Sequence, residues 1–188
     1  MDLVEAIPDA GFSLLVVGPH DPRWEPRRFA ALTARAHVHY AGRVTEEQAA
    51  AYIAAADVGV TPYLDTSFNR ASFPLKTLDY LSAGRPAVST ALPAARWLLD
   101  DLARSDQAAY SGRILALAGD RAEFINAIRH LAGDPRKPVR AGGRPAAMAA
   151  DTADTADTAD AQRCRAFAAR HSWSRRADAL AALIGLTG

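Results

Sequence analysis

The sequence predicts a doubly wound α/β domain built on about five parallel strands. Short apolar runs that stop at Gly or Pro alternate with segments of helical periodicity, which is the pattern of successive βαβ units. The first run, SLLVVG, is apolar almost throughout, as expected for a strand that is covered on both faces. At 188 residues the chain has the length of one ordinary domain with a sizeable core.

The predicted elements follow one another in a regular order. Strands are expected at residues 13–18, 37–41, 57–63, 87–90 and 114–118, and helices at 28–36, 45–56, 73–83, 94–102 and 121–132. Thr45 has the character of an N-cap, because acidic residues fill the turn that follows it. Gly84 marks the end of the helix before the fourth strand. Helical patterns return at residue 162 and continue beyond a break near His171.

The chain divides into three segments. Residues 1–133 form the predicted Rossmann-like domain, and residues 162–188 supply C-terminal helices of the same domain. Between them, residues 134–161 are first rich in Pro, Gly and Arg and then repeat Thr-Ala-Asp. Because a three-residue period fits neither a helix nor a strand, we interpret this segment as a flexible, low-complexity insert. An acidic binding tract is the alternative.

Composition narrows the possible partners. The net charge of +1 gives no electrostatic footprint for nucleic acid. The single cysteine, Cys164, is expected to be an apolar filler and is typical of a reducing compartment. No run of 18 apolar residues, signal-peptide pattern, dinucleotide motif or metal-ligand spacing is present. We therefore expect a cytoplasmic protein without cofactor or metal, which reaches a membrane only through a partner.

The polar loop after the third strand is the predicted ligand site. In an open parallel sheet, ligands bind beyond the carboxyl ends of the strands, and residues 63–73 form the longest loop there. This loop enters the helix that carries Lys76, one of only two lysines in the chain. The unpaired N–H groups expected in the first turn of this helix attract anions, and Pro74 suits such a turn. A cation set against the helix dipole costs up to about 1 kcal/mol, so Lys76 indicates an anionic ligand.

The same helix offers a carboxylate close to this lysine. Asp79 and Tyr80 lie three and four residues after Lys76, so the three side chains share a face, whereas the leucines, beginning with Leu75, are expected to turn toward the core. A carboxylate beside a phosphate site suits the paired hydroxyls of a ribose. A simple surface ion pair between Lys76 and Asp79, worth less than about 1 kcal/mol, explains the same spacing equally well.

Residues 12–100 resemble the C-terminal domain of bacterial GT-B glycosyltransferases of the family-4 type. FPLKTLDYLSAGRPAVSTALPA is similar to the signature of a subgroup that includes teichuronic-acid-type enzymes. Upstream, SLLVVGP and HVHYAGRVTEEQAAAYIAAADVGVTPY resemble earlier landmarks of the family, in order and at the right spacing. Residues 167–183 resemble its closing helix.

The resemblance implies a nucleotide-sugar site and assigns residues to it. The implied donor-binding positions are Gly18, Arg43, Val44, Ser72, Phe73, Leu75, Lys76 and Asp79. Lys76 is the implied catalytic residue, which would stabilise the leaving diphosphate together with the helix N-terminus and without an obligatory metal. The backbone amides near Ser72, Phe73 and Leu75 would also face the diphosphate. Asp79 stands where the family has a longer Glu that holds the ribose. Ala71 stands where family-4 enzymes often carry an acid.

The leading hypothesis is the donor-binding half of a glycosyltransferase that uses a UDP- or GDP-sugar and serves a glycan or lipid-linked acceptor. The resemblance places the first strand of the domain and the acceptor-binding N-terminal domain upstream or on a separate chain. The isolated chain is therefore not expected to turn over substrate. Two alternatives remain open: an inactive or vestigial nucleotide-binding module that needs a partner chain, and an unrelated flavodoxin-like regulatory domain.

Overall fold

A computed structural model describes residues 1–133 and 158–185. Its strands are β1 Leu14–Val17, β2 Val38–Gly42, β3 Gly59–Thr61, β4 Ala87–Thr90 and β5 Leu115–Ala118. Its helices are α1 Asp2–Asp9, α2 Pro26–Thr33, α3 Glu46–Ala55, α4 Ser67–Ala71, α5 Leu75–Ser82, α6 Pro93–Ala103, α7 Ser111–Ile114, α8 Arg121–Ala132, α9 Ala159–Ala169 and α10 Trp173–Leu183. Strands and helices alternate from β1 to α8, as predicted.

The five strands form two parallel sheets among the described residues. β1 pairs with β2, with Leu14 opposite Val38. β4 lies between β3 and β5, with Gly59 opposite Ala87 and Ala87 opposite Leu115. A helix connects the two members of each pair, as parallel pairing requires. The predicted doubly wound α/β fold with five strands is confirmed.

One hydrophobic core joins the two sheets. Leu14 of β1 and Val38 of β2 belong to the same buried cluster as Val88 of β4 and Phe124 of α8. Helices α1 and α8 contact each other and cover this cluster. A second cluster, which includes the fully buried Phe167, packs α9 against α5 and α6. Burial of each large apolar side chain contributes roughly 1.5–3 kcal/mol, so these clusters fix how the helices sit on the strands.

Short-range signals account for several helix ends. α3 has the full capping box, since Gln48 N–H donates to Thr45 Oγ1 at 3.2 Å and Thr45 N–H donates to the Gln48 side chain at 3.0 Å. α5 ends at Ser82, and Gly84 follows two residues later with a φ of +76°, which favours glycine. A Cβ at Gly84 would also lie 2.3 Å from Arg165 Nη1 on α9, so the residue lets α9 pack closely on the end of α5.

Several elements differ from the sequence prediction, among them β3, α4 and α9. β3 is shorter than the predicted strand at 57–63, because Pro62 has no N–H for a ladder bond. α4 was expected to be loop; Thr66 caps it by accepting from Asn69 N–H at 3.1 Å. α9 begins at Ala159, with Thr158 as its cap, so the last Thr-Ala-Asp triplet belongs to a helix.

The C-terminal part of the chain is described from residue 158 to residue 185. Apart from residues 158–161, the predicted flexible insert at 134–161 lies outside the described residues, and so do residues 186–188. α10 begins at Trp173, where the break after His171 predicted a new helix. Within the two described ranges, every helix is too short or too polar to span a lipid bilayer.

Candidate functional site

A pocket opens at the carboxyl end of the β3–β4–β5 sheet, where the sequence predicted a ligand site. It has a volume of about 290 Å³ and is formed by the ends of β3 and β4, by α4, and by the starts of α5 and α6. We call it the strand-end pocket. Its lining residues are Tyr63, Phe68, Asn69, Ser72, Phe73, Pro74, Leu75, Lys76, Ser89, Leu92, Ala94 and Ala95. Parallel strands deliver their following loops and helix starts to one edge, which is why this pocket forms there.

Lys76 stands at this pocket and is paired with Asp79. Lys76 Nζ donates to Asp79 Oδ2 at 2.9 Å, and the two side chains are 66% and 46% exposed. The surface ion pair between Lys76 and Asp79, which the spacing of the two residues suggested, is thus formed. An exposed pair of this kind contributes about 0–1 kcal/mol, so separating Lys76 from Asp79 costs little free energy. Asp79 does not itself line the pocket; it contacts Lys76, which does.

The first turn of α5 differs from the expected row of unpaired amides. Leu75 N–H donates to Phe73 O at 2.9 Å, and Ser72 N–H donates to Asn69 O at 3.3 Å. The expectation of unpaired amides is therefore wrong at Ser72 and Leu75, because the loop folds back and its own carbonyls accept from them. The cationic side chain among the described lining residues is that of Lys76.

α5 turns a different face to the core than its leucines suggested. Leu81 is fully buried, but Leu75 is 48% exposed and lines the pocket. The prediction that Leu75 points into the core is wrong, since the first turn of α5 lies at the pocket opening. Thr77 is fully buried instead, and its Oγ1 lies 3.2 Å from Thr61 Oγ1 on β3. This hydroxyl pair anchors the helix beside the pocket.

Tyr80 packs on β3 and does not share the exposed face of Lys76. Its hydroxyl donates to Val60 O at 3.4 Å, and its ring lies so close to Gly59 that a Cβ there would be 2.1 Å from the ring. Burial raises the pKa of Tyr80. Burial also raises the pKa of Tyr63 in the pocket, and the charge of Lys76 opposes that shift. Both phenols therefore act as neutral hydrogen-bonding groups near neutral pH.

Three further implied donor positions, Gly18, Arg43 and Val44, lie just beyond the ends of β1 and β2. Gly18 follows β1, and its N–H donates to the carbonyl of Gly42 at the end of β2 at 2.8 Å. Gly18 has a φ of +122°, and nothing lies within 4 Å of the place of a Cβ, so a ligand could approach its backbone. Arg43 is exposed and Val44 is half-buried. The structure thus brings Ser72, Phe73, Leu75 and Lys76 into one pocket. Gly18, Arg43 and Val44 do not line that pocket.

Tyr63, Phe68 and Asn69 lie in the predicted loop at residues 63–73 but were not singled out as binding residues, and Ser89 on β4 was not expected from the sequence. Asn69 is held in place because its Nδ2 donates to Leu64 O at 2.9 Å. Phe68 is 78% exposed at the rim. The capping signal of Thr66 would have revealed α4, which presents Phe68 and Asn69. Nothing in the sequence pattern distinguished Ser89 from other strand-end residues. In the described ranges, no three His, Cys, Asp or Glu side chains come together as a metal site would require.

The fold and the strand-end pocket define a Rossmann-like α/β domain with an anion-compatible site at its strand ends. Residues 1–134 match the family of group 1 glycosyl transferases, and the chain belongs to that family. It is also similar to TuaH of Bacillus subtilis (strain 168), a protein named as a putative teichuronic acid biosynthesis glycosyltransferase, with 32% identity over 88 residues. That match covers 47% of this chain and 22% of TuaH, so it spans about a fifth of the relative. The family match leaves the flavodoxin-like alternative without support.

Proposed function

We propose that this chain is the donor-binding part of a group 1 glycosyl transferase, and that its donor is a UDP- or GDP-sugar. The observation that carries the proposal is Lys76, an exposed ammonium group on the strand-end pocket. At about 290 Å³, the pocket is at the small end of ligand sites, which span roughly 300–1,000 Å³. It would hold the diphosphate and part of the sugar, while the nucleoside would extend toward Gly18, Arg43 and Val44.

Donor binding would proceed by an exchange of partners at Lys76. The ammonium group leaves the Asp79 carboxylate and pairs with the diphosphate, whose charge is larger. Breaking the exposed ion pair costs at most about 1 kcal/mol, whereas a hydrogen bond to a charged group contributes about 1.5–3 kcal/mol. The exchange frees the Asp79 carboxylate to accept from ribose hydroxyls, so both residues gain a role in the complex.

Lys76 would also serve the chemical step. When the bond between the sugar and the diphosphate breaks, negative charge grows on the leaving phosphate oxygen. A fixed cation beside that oxygen stabilises the transition state more than the ground state. The acceptor site belongs, on this proposal, to a further domain or a separate chain, so transfer requires that part. A cytoplasmic location is part of the same proposal and is supported by the single cysteine of the chain.

Calorimetric titration with UDP and GDP tests the donor site. The wild-type chain should bind at least one of them, and Lys76→Ala should weaken binding by about 10- to 100-fold, the equivalent of one charge-assisted hydrogen bond. Arg129→Ala is the matched control, because it removes one positive charge from the last turn of α8, outside the pocket. A folded chain that binds neither nucleotide at millimolar concentration, or equal affinity for wild type and Lys76→Ala, would contradict the proposal.

The alternative of a binding module without transfer activity is favoured by one observation, the division of the strands into two sheets. The two proposed functions differ in whether the bound nucleotide sugar is cleaved. Slow release of UDP or GDP from the nucleotide sugar, lost in Lys76→Ala, would indicate a competent donor site. Nucleotide binding that depends on Lys76, without any release by the chain or by the chain joined to an acceptor domain, would favour the binding module.

A further inference from the structure

Three aromatic rings form a cluster at the first sheet, beside the loop that follows β1. His20 stands in this loop, two residues after Gly18, while Phe29 belongs to α2 and Tyr40 to β2. The His20 and Phe29 rings are stacked, with their centroids 3.8 Å apart and 8° between their planes. Tyr40 meets the same Phe29 ring edge-on at 4.9 Å. Both geometries are favourable for aromatic pairs, so Phe29 fixes the orientation of His20 and of Tyr40.

The hydrogen bonds of the His20 ring show which of its nitrogens carries the proton. His20 Nε2 lies 2.9 Å from the carbonyl oxygen of Trp24. Because a carbonyl can only accept, Nε2 carries the proton and donates. In the neutral imidazole Nδ1 is then an acceptor, and no donor in the described part of the chain reaches it. His20 therefore offers one unused acceptor on a ring that is already held in place.

The Tyr40 hydroxyl supplies an unused donor next to His20. It accepts from the backbone N–H of His20 at 3.1 Å, which uses the oxygen but not the proton. A tyrosine hydroxyl can donate as well as accept. No acceptor takes its proton within residues 1–133 and 158–185, and Tyr40 is 37% exposed. His20 and Tyr40 together thus offer an acceptor and a donor to one ligand.

The loop that carries His20 is held in shape before any ligand arrives. Asp21 accepts from the backbone N–H of Arg23 at 2.9 Å and from its guanidinium group at 2.8 Å. Trp24 N–H donates to Asp21 O at 3.0 Å. Glu25, at the end of the loop, has a φ of +44°, a left-handed conformation that is uncommon for residues other than glycine and recurs at ligand sites. A preformed loop loses little conformational entropy on binding.

An acceptor beside a donor matches one edge of two nucleobases. Uracil and guanine both carry a ring N–H next to a C=O, so the N–H would donate to His20 Nδ1 and the C=O would accept from the Tyr40 hydroxyl. Cytosine and adenine carry an unprotonated ring nitrogen next to an amino group, which reverses the pattern. A reversed base would leave both protein groups unpaired, and sites of this kind reject such ligands strongly.

We propose that His20 Nδ1 and the Tyr40 hydroxyl recognise the N–H and C=O edge of uracil or guanine, and thereby exclude cytosine and adenine nucleotides from the donor site. The proposal rests on the proposed function, because it takes the ligand to be a nucleotide sugar whose nucleoside lies near Gly18. It adds the two residues that select the base. Phe29 is a positioning residue in this arrangement, since it contacts both rings and offers no polar group of its own.

Calorimetric titration with matched nucleotides tests the base preference. The probes are UDP, CDP and UDP methylated at N3, or GDP, ADP and GDP methylated at N1 if GDP binds more tightly. The unmodified uracil or guanine nucleotide should bind at least tenfold more tightly than the other two. His20→Phe keeps a ring against Phe29 but has no acceptor, and Tyr40→Phe removes only the hydroxyl. Each substitution should reduce the preference to less than about threefold, mainly by weakening the preferred nucleotide.

Controls separate this proposal from the donor site as a whole. Lys76→Ala should weaken all three nucleotides by the same factor and leave the preference unchanged. Tyr110→Phe removes an exposed hydroxyl just before α7 and should change nothing. Equal binding of the three nucleotides to the wild-type chain, or a full preference in both His20→Phe and Tyr40→Phe, would overturn base recognition and leave the proposed function intact. A folded chain that binds no nucleotide would overturn both. Thermal melts verify that each variant is folded.

Discussion

At the scale of single residues, polar groups that hold the fold are separated from those that can meet a ligand. The Thr61–Thr77 hydroxyl pair is buried and binds α5 to β3, whereas Lys76 remains exposed. Cys164 belongs to the first kind. It is fully buried, and burial, with a further contribution from the charge of Asp160, raises the pKa of its thiol to about 12. The thiol is therefore an unreactive apolar filler under ordinary conditions, as its position in the sequence suggested.

His171 should make the folded chain less stable in mild acid. Burial lowers its pKa, and the nearby charge of Asp101 opposes this shift, while Arg176 and Arg170 add to it. The unfolded chain, with an ordinary histidine pKa of about 6.5, then binds more protons than the folded chain below that pH. Stability is fully present above about pH 6.5 and falls as the pH drops through the lower, folded pKa.

Urea unfolding of wild type and His171→Phe at pH 7.5, 6.5 and 5.5 measures this effect. The phenyl ring keeps the contacts that the imidazole makes with Phe167 and Trp97 but cannot titrate. Wild-type stability should fall relative to the variant as the pH decreases. A gain of wild-type stability in acid would show that the attraction of Asp101 outweighs burial, and parallel curves would show that the two cancel.

At the scale of elements, the contact between α5 and β3 decides where the strand-end pocket opens. Tyr80 lies across Gly59, and a Cβ at position 59 would come within 2.1 Å of Cγ and Cδ2 of the ring and within 2.7 Å of the tyrosine Cβ. A clash with the base of the side chain cannot be relieved by turning the ring. The helix itself must then move, and with it Leu75 and Lys76 at its start.

Gly59→Ala should therefore destabilise the chain by about 1–3 kcal/mol, as overpacking does in well-packed contacts. The same substitution should cost much less in a Tyr80→Ala background, because the ring that it meets is gone. Urea unfolding of the four chains of this cycle gives the coupling between the two positions. An equal cost of Gly59→Ala in both backgrounds would show that the backbone, and not the tyrosine, requires glycine here.

Sequence patterns predicted the elements better than their contacts. Apolar runs located all five strands, and caps such as Thr45 located helix starts, because these signals act within a few residues. The core-facing side of α5 was not predictable from its leucines, since the first turn lies at a pocket and Thr77 finds a hydroxyl partner on β3. Tyr63 and Asn69 lie in the predicted loop, but which of its side chains line the pocket, and that Ser89 joins them, depends on how β3, α4 and β4 pack, which spacing along the chain does not encode.

At the scale of the whole molecule, the main feature is a sheet in two parts around one core. β1 pairs only with β2, and β3 pairs only with β4, among the described residues. Leu14 N–H donates to His37 O, on the side of β2, and Gly59 N–H donates to Pro86 O, on the side of β4. In a parallel strand, alternate residues direct their amides to opposite sides. The amides next to them along each strand therefore face the open edges.

Hydrogen exchange followed by NMR should reveal the open edges residue by residue. The amides of Leu15 and Val60 should exchange much faster than those of Leu14 and Gly59, because no strand of the described chain accepts from them. The resemblance to GT-B enzymes predicts a further strand at this place, and a segment that supplied it would slow these two amides selectively. Equal protection of all four amides in the chain alone would contradict two separate sheets.

The central claim is that one nucleotide diphosphate ligand meets both sheets, and an NMR titration of the labelled chain with UDP- or GDP-sugar tests it most directly. Backbone amide signals of residues 72–79 should shift together with those of Gly18, Arg43 and Val44, at one common affinity, while signals near Arg129 on α8 stay in place. No shift at saturating donor, or shifts confined to one of these two groups, would contradict this claim.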